Sequence, residues 1–209
     1  DHILFDREGK AVRFSQYRGK PLLVNFVYTG CTQVCPASTR FLGRAIQQAQ
    51  ATLGADKFQV LTIGFNLPYD TPSAMREFAR RHAIDFAGWE FLSPSPKALP
   101  QLIKELGFAF ASTPKGFDHL TQVTIVDAQG KVFRQVYGDE FELPMLIAPL
   151  KELILGTPAP SYDLASIIEK VRLLCTVYDP RSGRYRLNYG VFIELFTGLT
   201  VLGAVIYVL

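Results

Sequence analysis

Cysteine, histidine and tryptophan are scarce in this 209-residue chain, at three, three and one. Three cysteines cannot build the disulfide framework of a small scaffold, so the neighbouring Cys31 and Cys35 read as a site and Cys175 as an odd thiol. No run of lysine and arginine forms a stripe, and a net charge of +3 gives no argument for a nucleic-acid partner. The glycines are scattered and nowhere make the phosphate-cradling pattern of a nucleotide site. Methionine does not stand first: the sequence opens on Asp1, which reads as a processed or a trimmed product. In the processed case a signal peptide has gone and the thiols work outside the cytoplasm.

What is there centres on Val24 to Phe41. An apolar run, Leu22 to Val27, broken by Asn25, ends in Tyr28-Thr29-Gly30, and Cys31, Cys35 and Pro36 follow. A nearly continuous apolar run is what a strand covered on both faces shows. Proline is favoured at the first helical position, so Pro36 puts Cys35 at a helix N-terminus and Cys31 in the loop before it. Inside a regular helix, residues four apart have Cβ atoms about 5–6 Å apart, too far for a disulfide. With Cys31 in a loop, either a disulfide or two thiolates on one ion is open. The positive end of the helix is also expected to lower the pKa of a thiol beside it. The bland alternative, two buried apolar cysteines, fits poorly with glycine before and proline after the pair.

In chain order, residues 3 to 15 read as a hairpin turned at Arg7-Glu8-Gly9, and a helix runs from Pro36 to about Leu53. Phe58 to Phe65 is a strand, and Asp70-Thr71-Pro72 caps a helix carrying Met75, Phe78 and Ala79 inward. A strand over Trp89 to Leu92, a helix over Pro96 to Leu106, and a hairpin of Gln122 to Val126 with Lys131 to Tyr137 follow. Pro144 to Leu155 closes the domain as a helix, with Pro149 kinking it or delaying its start. The order predicts an α/β fold with a mixed, mainly parallel sheet and helices on both faces. Residues 1–155 form this domain, and residues 156–188 a linker from Gly156 to Pro160 with a membrane-proximal amphipathic helix over Ser161 to Leu174. Residues 189–209 carry one charge, Glu194, and no proline. About 20 apolar residues cross a bilayer, so this stretch reads as a transmembrane helix in contact with lipid. Arg181, Arg184 and Arg186 flank it on the domain side, against the positive-inside rule for an external domain. The missing Met and the thiol chemistry outweigh that flank. Cys175 reads as a membrane-proximal apolar residue ending a helix.

A metal or redox site needs a third group. His2 is terminal and His82 follows Arg80 and Arg81 on an outward helix face, so both are expected in solvent. His119, in Lys115-Gly116-Phe117-Asp118-His119 just before the Gln122 to Val126 strand, lies in a loop entering a central strand, a place from which a side chain can reach the thiols; taken alone, such a histidine is more often structural than a ligand.

Together, C-x-x-x-C-P after an apolar strand ending in Thr-Gly, Asp-His before a later strand, and a D-x-x-G turn resemble the Sco/SenC family of copper proteins. The likeness covers about Ile3 to Leu155. It implies a thioredoxin-like fold with an N-terminal β-hairpin, and a copper ion held by Cys31, Cys35 and His119 with Asp118 beside the histidine. The extension and anchor resemble a bacterial subgroup. The resemblance implies a bacterial inner-membrane protein with its domain on the periplasmic side. Its partner is cytochrome c oxidase or another respiratory complex, to which it delivers copper or whose cysteines it reduces through Cys31 and Cys35. Thr32 and Gln33 stand where members commonly have Pro and Asp, a departure that bears on redox potential and copper kinetics more than on binding. Two thiolates and an imidazole suit copper(I), while zinc usually wants a fourth ligand. Asp118 or a backbone carbonyl is expected to fix the tautomer of His119. Two further functions compete. One is a thiol-disulfide oxidoreductase without metal, although C-x-x-C spacing is the usual cue for that class. The other is an accessory subunit of a respiratory complex, compatible with Tyr178, Tyr185, Tyr189 and Phe192.

Overall fold

The computed structural model describes residues 1–31, 34–114, 116–156, 176–179, 184–187, 190, 193, 196–198, 200 and 203. The chain divides into two compact units, Asp1–Gly156 and Thr157–Leu209.

The first unit is built on a seven-stranded sheet of order β2-β1-β5-β4-β3-β8-β9. Its strands are β1 (Ile3–Phe5), β2 (Ala11–Arg13), β3 (Leu22–Val27), β4 (Gln59–Gly64), β5 (Trp89–Pro94), β8 (Gln122–Val126) and β9 (Val132–Tyr137). Only β3–β4 and β4–β5 pair in parallel; β1–β2, β1–β5, β3–β8 and β8–β9 are antiparallel. The sheet is therefore mixed but mostly antiparallel, against the mainly parallel expectation. The N-terminal hairpin joins the sheet through β5, and the β8–β9 hairpin joins through β3. Four helices accompany it: α1 (Val34–Leu53), α2 (Pro72–Arg81), α3 (Leu99–Glu105) and α4 (Leu143–Gly156). Helix α4 runs through Pro149, which is buried within it.

Side-chain alternation divides β3 between two faces. Leu22, Val24 and Phe26 share one core cluster with Leu61 and Ile63 of β4 and Leu99 and Leu102 of α3. On the other face Asn25, the polar break in the run, accepts a hydrogen bond from Thr62 Oγ1 at 2.7 Å, and Thr62 accepts one from Trp89 Nε1 at 2.8 Å. A buried polar group without a partner costs about 1–3 kcal/mol, so this relay is what lets an asparagine stand in a central strand. Helix α1 reaches Trp89 through Gly43, where an added Cβ would lie 3.8 Å from the indole.

Two short strands, β6 (Phe110–Thr113) and β7 (Gly116–His119), make a separate antiparallel hairpin pairing Phe110 with His119. The segment expected as a loop before β8 is therefore a paired hairpin. The second unit contributes β10 (Thr176–Asp179) and β11 (Arg184–Leu187), paired antiparallel. Among the described residues no helix is long and apolar enough to cross a membrane. Most of the 189–209 span, Cys175 and the 161–174 helix lie outside the described residues.

Candidate metal centre

Strand β3 ends at Val27, and Tyr28 to Cys31 turn the chain, with the Cys31 N–H donating to the Tyr28 carbonyl at 3.1 Å. Cys31 is half-buried in this turn and Cys35 lies within the first turn of α1, 2% exposed. The helix starts at Val34, so Pro36 is its third residue rather than its first. The Cys35 N–H points at Cys31 Sγ, 3.3 Å away, and neither cysteine is in a disulfide.

His119 comes in from the β6–β7 hairpin, and its Nε2 lies 4.0 Å from Cys35 Sγ. Aromatic packing places it. Phe65 follows the end of β4, and its ring meets those of Tyr28, Phe108, Phe110, Phe117 and His119 at centroid distances of 5.5, 5.2, 4.8, 5.2 and 5.5 Å. Tyr28 packs edge-on against Phe117 and His119. Its hydroxyl is hydrogen-bonded to the Cys31 side chain and to the Phe117 backbone; burial first and then the Cys31 contact raise the phenol pKa, and the Phe117 bond opposes them. Gly116 has φ +124° and passes close over that phenol, where an added Cβ would meet Tyr28 Oη at 2.9 Å. One tyrosine therefore touches both the thiol turn and the histidine hairpin.

The other ring nitrogen of His119, Nδ1, is 3.3 Å from the Leu120 carbonyl. With the proton on Nδ1, that nitrogen donates to the carbonyl and Nε2 keeps a lone pair facing Cys35. Asp118 is exposed on the hairpin. Among the described residues no three ligand side chains are already closed into a cluster. The spacing nevertheless suits a bridging ion. Bonds of about 2.3 Å to sulfur and 2.0 Å to imidazole reach across at most about 4.3 Å. A pocket of about 20 Å³ beside Cys35 and His119, lined also by Asn25, Ser38, Thr121 and Asp139, is far below the several hundred Å³ that organic ligands occupy. A cavity of about 230 Å³ lies instead around Leu22, at the opposite end of β3 from the thiols.

The two other histidines depart from their expected solvent positions. His2 is buried and sits 2.6 Å from Glu105 Oε2, while His82 packs on Phe78 with its Nδ1 buried and its pKa lowered by burial and by Arg40 and Arg81. Asp70 was read as part of a helix cap. Thr71 is the N-cap of α2, its side chain accepting from the Ala74 N–H, and Asp70 points away from α2, fully buried, toward the thiol turn. Its Oδ1 accepts from Thr29 N at 2.8 Å and Thr29 Oγ1 at 2.7 Å, and its Oδ2 accepts from Asn66 N at 2.7 Å. Burial pushes this carboxyl above its ordinary range, opposed by those donors.

Burial also overrides the helix end at Cys35. Its thiol is pushed up to about 12, chiefly by burial and then by the hydrogen bond with Cys31. In the reduced, metal-free protein Cys35 is a neutral thiol, and Cys31 is the one that reagents reach. Alkylation with iodoacetamide is expected to label Cys31 first, with labelling of Cys35 accelerating about tenfold per pH unit without a plateau below pH 10. A plateau at pH 8 to 9 would show an ordinary thiol. Because the folded pKa is the higher one, the protein favours the protonated form. The stability this contributes is present below the ordinary thiol value, about 8.5, and lost as pH rises toward 12.

A thiol pair at the end of a central strand, opening a helix of a mixed α/β sheet, with a histidine brought against it, defines a thioredoxin-like protein whose site is built for thiol or metal chemistry. Residues 1–155 match the family model described as SCO1/SenC, and the chain belongs to that family. It is 26% identical over 141 residues to the SCO1 protein homolog of Bacillus subtilis, which covers 65% of this chain and 71% of that protein. A putative electron transfer protein of Aquifex aeolicus shares the fold, with a TM-score of 0.68 and 24% identity over 78% of this chain and 95% of the other. ScoI of Bradyrhizobium japonicum, solved with copper bound, superposes with a TM-score of 0.59 and 26% identity over 73% of this chain and 96% of the other.

Proposed function

We propose that the chain binds a copper ion through the Cys31 and Cys35 thiolates and His119 Nε2 and delivers it to the copper site of a cytochrome c oxidase during assembly. The observation that carries this reading is the 4.0 Å approach of His119 Nε2 to Cys35 Sγ, made from a hairpin that forms its own two-stranded sheet. Membership of the SCO1/SenC family and the copper held by the related ScoI support it. Two thiolates and one imidazole form a soft donor set suited to copper(I), and a half-buried rim leaves room for the ion to leave. The apolar stretch 189–209 holds the domain at the bacterial inner membrane, facing the periplasm.

A second reading rests on the adjacency of two cysteines in the dithiol form. The Cys31–Cys35 dithiol gives two electrons and two protons to a disulfide in the oxidase, becoming a disulfide itself and leaving the partner's cysteines as thiols able to take copper.

An anaerobic copper(I) titration of the reduced full chain against a competing chelator separates the two. One tightly held copper per chain, lost in Cys31→Ser, is the expected result. No retained copper, with Cys31–Cys35 cycling readily against glutathione, sinks copper delivery and leaves thiol exchange.

A further inference from the structure

The thiol turn needs an anchor, because a turn that closes only on itself does not fix where Cys31 stands relative to His119. Asp70 supplies one. Fully buried, it accepts both donors of Thr29, two residues before Cys31, with one carboxylate oxygen and the Asn66 N–H with the other. Its own carbonyl accepts from Ser93 Oγ at 2.5 Å. The carboxyl ends of β3, β4 and β5 thus meet on a single residue. The fold makes room for it at Gly64, where an added Cβ would lie 2.6 Å from Asp70 Cβ. No ion pair to Asp70 occurs among the described residues, so N–H and O–H donors alone offset the cost of burying its charge. A carboxylate that accepts from two loops at once, through fixed two-oxygen geometry, fixes the distance between them.

We propose that Asp70 is a positioning residue for the metal and thiol site. By clamping Thr29 to the end of β4, it sets the height at which Cys31 faces Cys35 and His119. The metal part of this inference rests on the copper reading above, and the thiol part stands without it. Asp70→Asn keeps the size of the side chain but turns one acceptor into an NH2 donor, which then opposes an existing donor, so either Thr29 or Asn66 is released. Thr29→Val keeps the backbone N–H bond and removes only the hydroxyl arm.

The test uses the full chain in three forms, wild type, Asp70→Asn and Thr29→Val. Copper(I) affinity is measured by chelator competition, the Cys31–Cys35 equilibrium against glutathione in the metal-free protein, and folding by thermal unfolding. Expected is a folded Asp70→Asn protein whose copper(I) affinity falls at least about tenfold and whose glutathione equilibrium constant moves by a similar factor. Thr29→Val is expected to lose about threefold in both, an effect of the size of one weakened hydrogen bond. A lower unfolding midpoint with copper affinity and glutathione equilibrium at wild-type values would mean that Asp70 serves the fold alone, and overturns the proposal. If Asp70→Asn does not fold, Thr29→Val decides on the same two readouts. If wild type retains no copper, the copper reading fails and the glutathione equilibrium alone decides whether Asp70 positions Cys31.

Discussion

Phe65→Ala is expected to lower the stability of the 1–156 unit by about 3–5 kcal/mol, the usual cost of deleting a buried aromatic ring. That shift lowers the thermal midpoint by roughly 10 °C for a domain of this size. Phe65 is 2% exposed, and its ring is the hub on which Tyr28, Phe108, Phe110, Phe117 and His119 all rest. Collapse of the neighbours into the space cannot restore all five contacts at once, because they come from three different chain segments. Phe65→Leu, which keeps apolar volume, should recover more than half of the loss. A midpoint within 2 °C of wild type for Phe65→Ala, measured by circular dichroism on the reduced protein, would show that the cluster does not carry the hairpin.

His119→Ala is expected to do the reverse, leaving stability nearly intact while disabling the site. The side chain is half-buried, and losing its ring contacts costs about 1 kcal/mol. Copper(I), which two thiolates already suit, should be held about a hundredfold more weakly. Copper(II), which favours nitrogen donors, should lose its thiolate-to-copper absorption altogether. His2→Ala is the matched control, since that histidine pairs with Glu105 and contacts no thiol. Unchanged copper(I) and copper(II) binding in His119→Ala would remove the histidine from the site and reduce it to the two thiols.

The elements that were legible in the sequence are those fixed by short-range pattern. The run Leu22 to Val27, the thiols after Thr29-Gly30, and the Asp127 to Gly130 turn between β8 and β9 all lie in their expected places. Strand direction was not legible, because it depends on β1 finding β5 and β8 finding β3, pairings that no local pattern encodes. The β6–β7 hairpin was missed because its strands carry little alternation. All four residues of β6 are exposed, and the segment is held by aromatic contacts on one side. Pro114 and Gly116 in the sequence between Phe110 and Phe117 were the available signal. Asp70 was misread for a different reason. An aspartate just before Thr-Pro satisfies every local rule for a cap, and only the fold reveals that its partner is Thr29. His2 and His82 were placed in solvent by their charged neighbours in sequence, whereas tertiary contacts with Glu105 and Phe78 decide where they sit.

The β6–β7 hairpin forms its own sheet, apart from the seven-stranded one. A residue inserted into a strand of the large sheet slips its register and turns every following side chain to the opposite face. A residue inserted in this hairpin shifts nothing but the hairpin. His119 is thus mounted on a part of the chain that evolution or an engineer can lengthen, shorten or exchange while the thiol pair stays where the sheet puts it. Chimaeras that trade residues 110–119 between relatives should fold as readily as their parents and differ in how they hold metal.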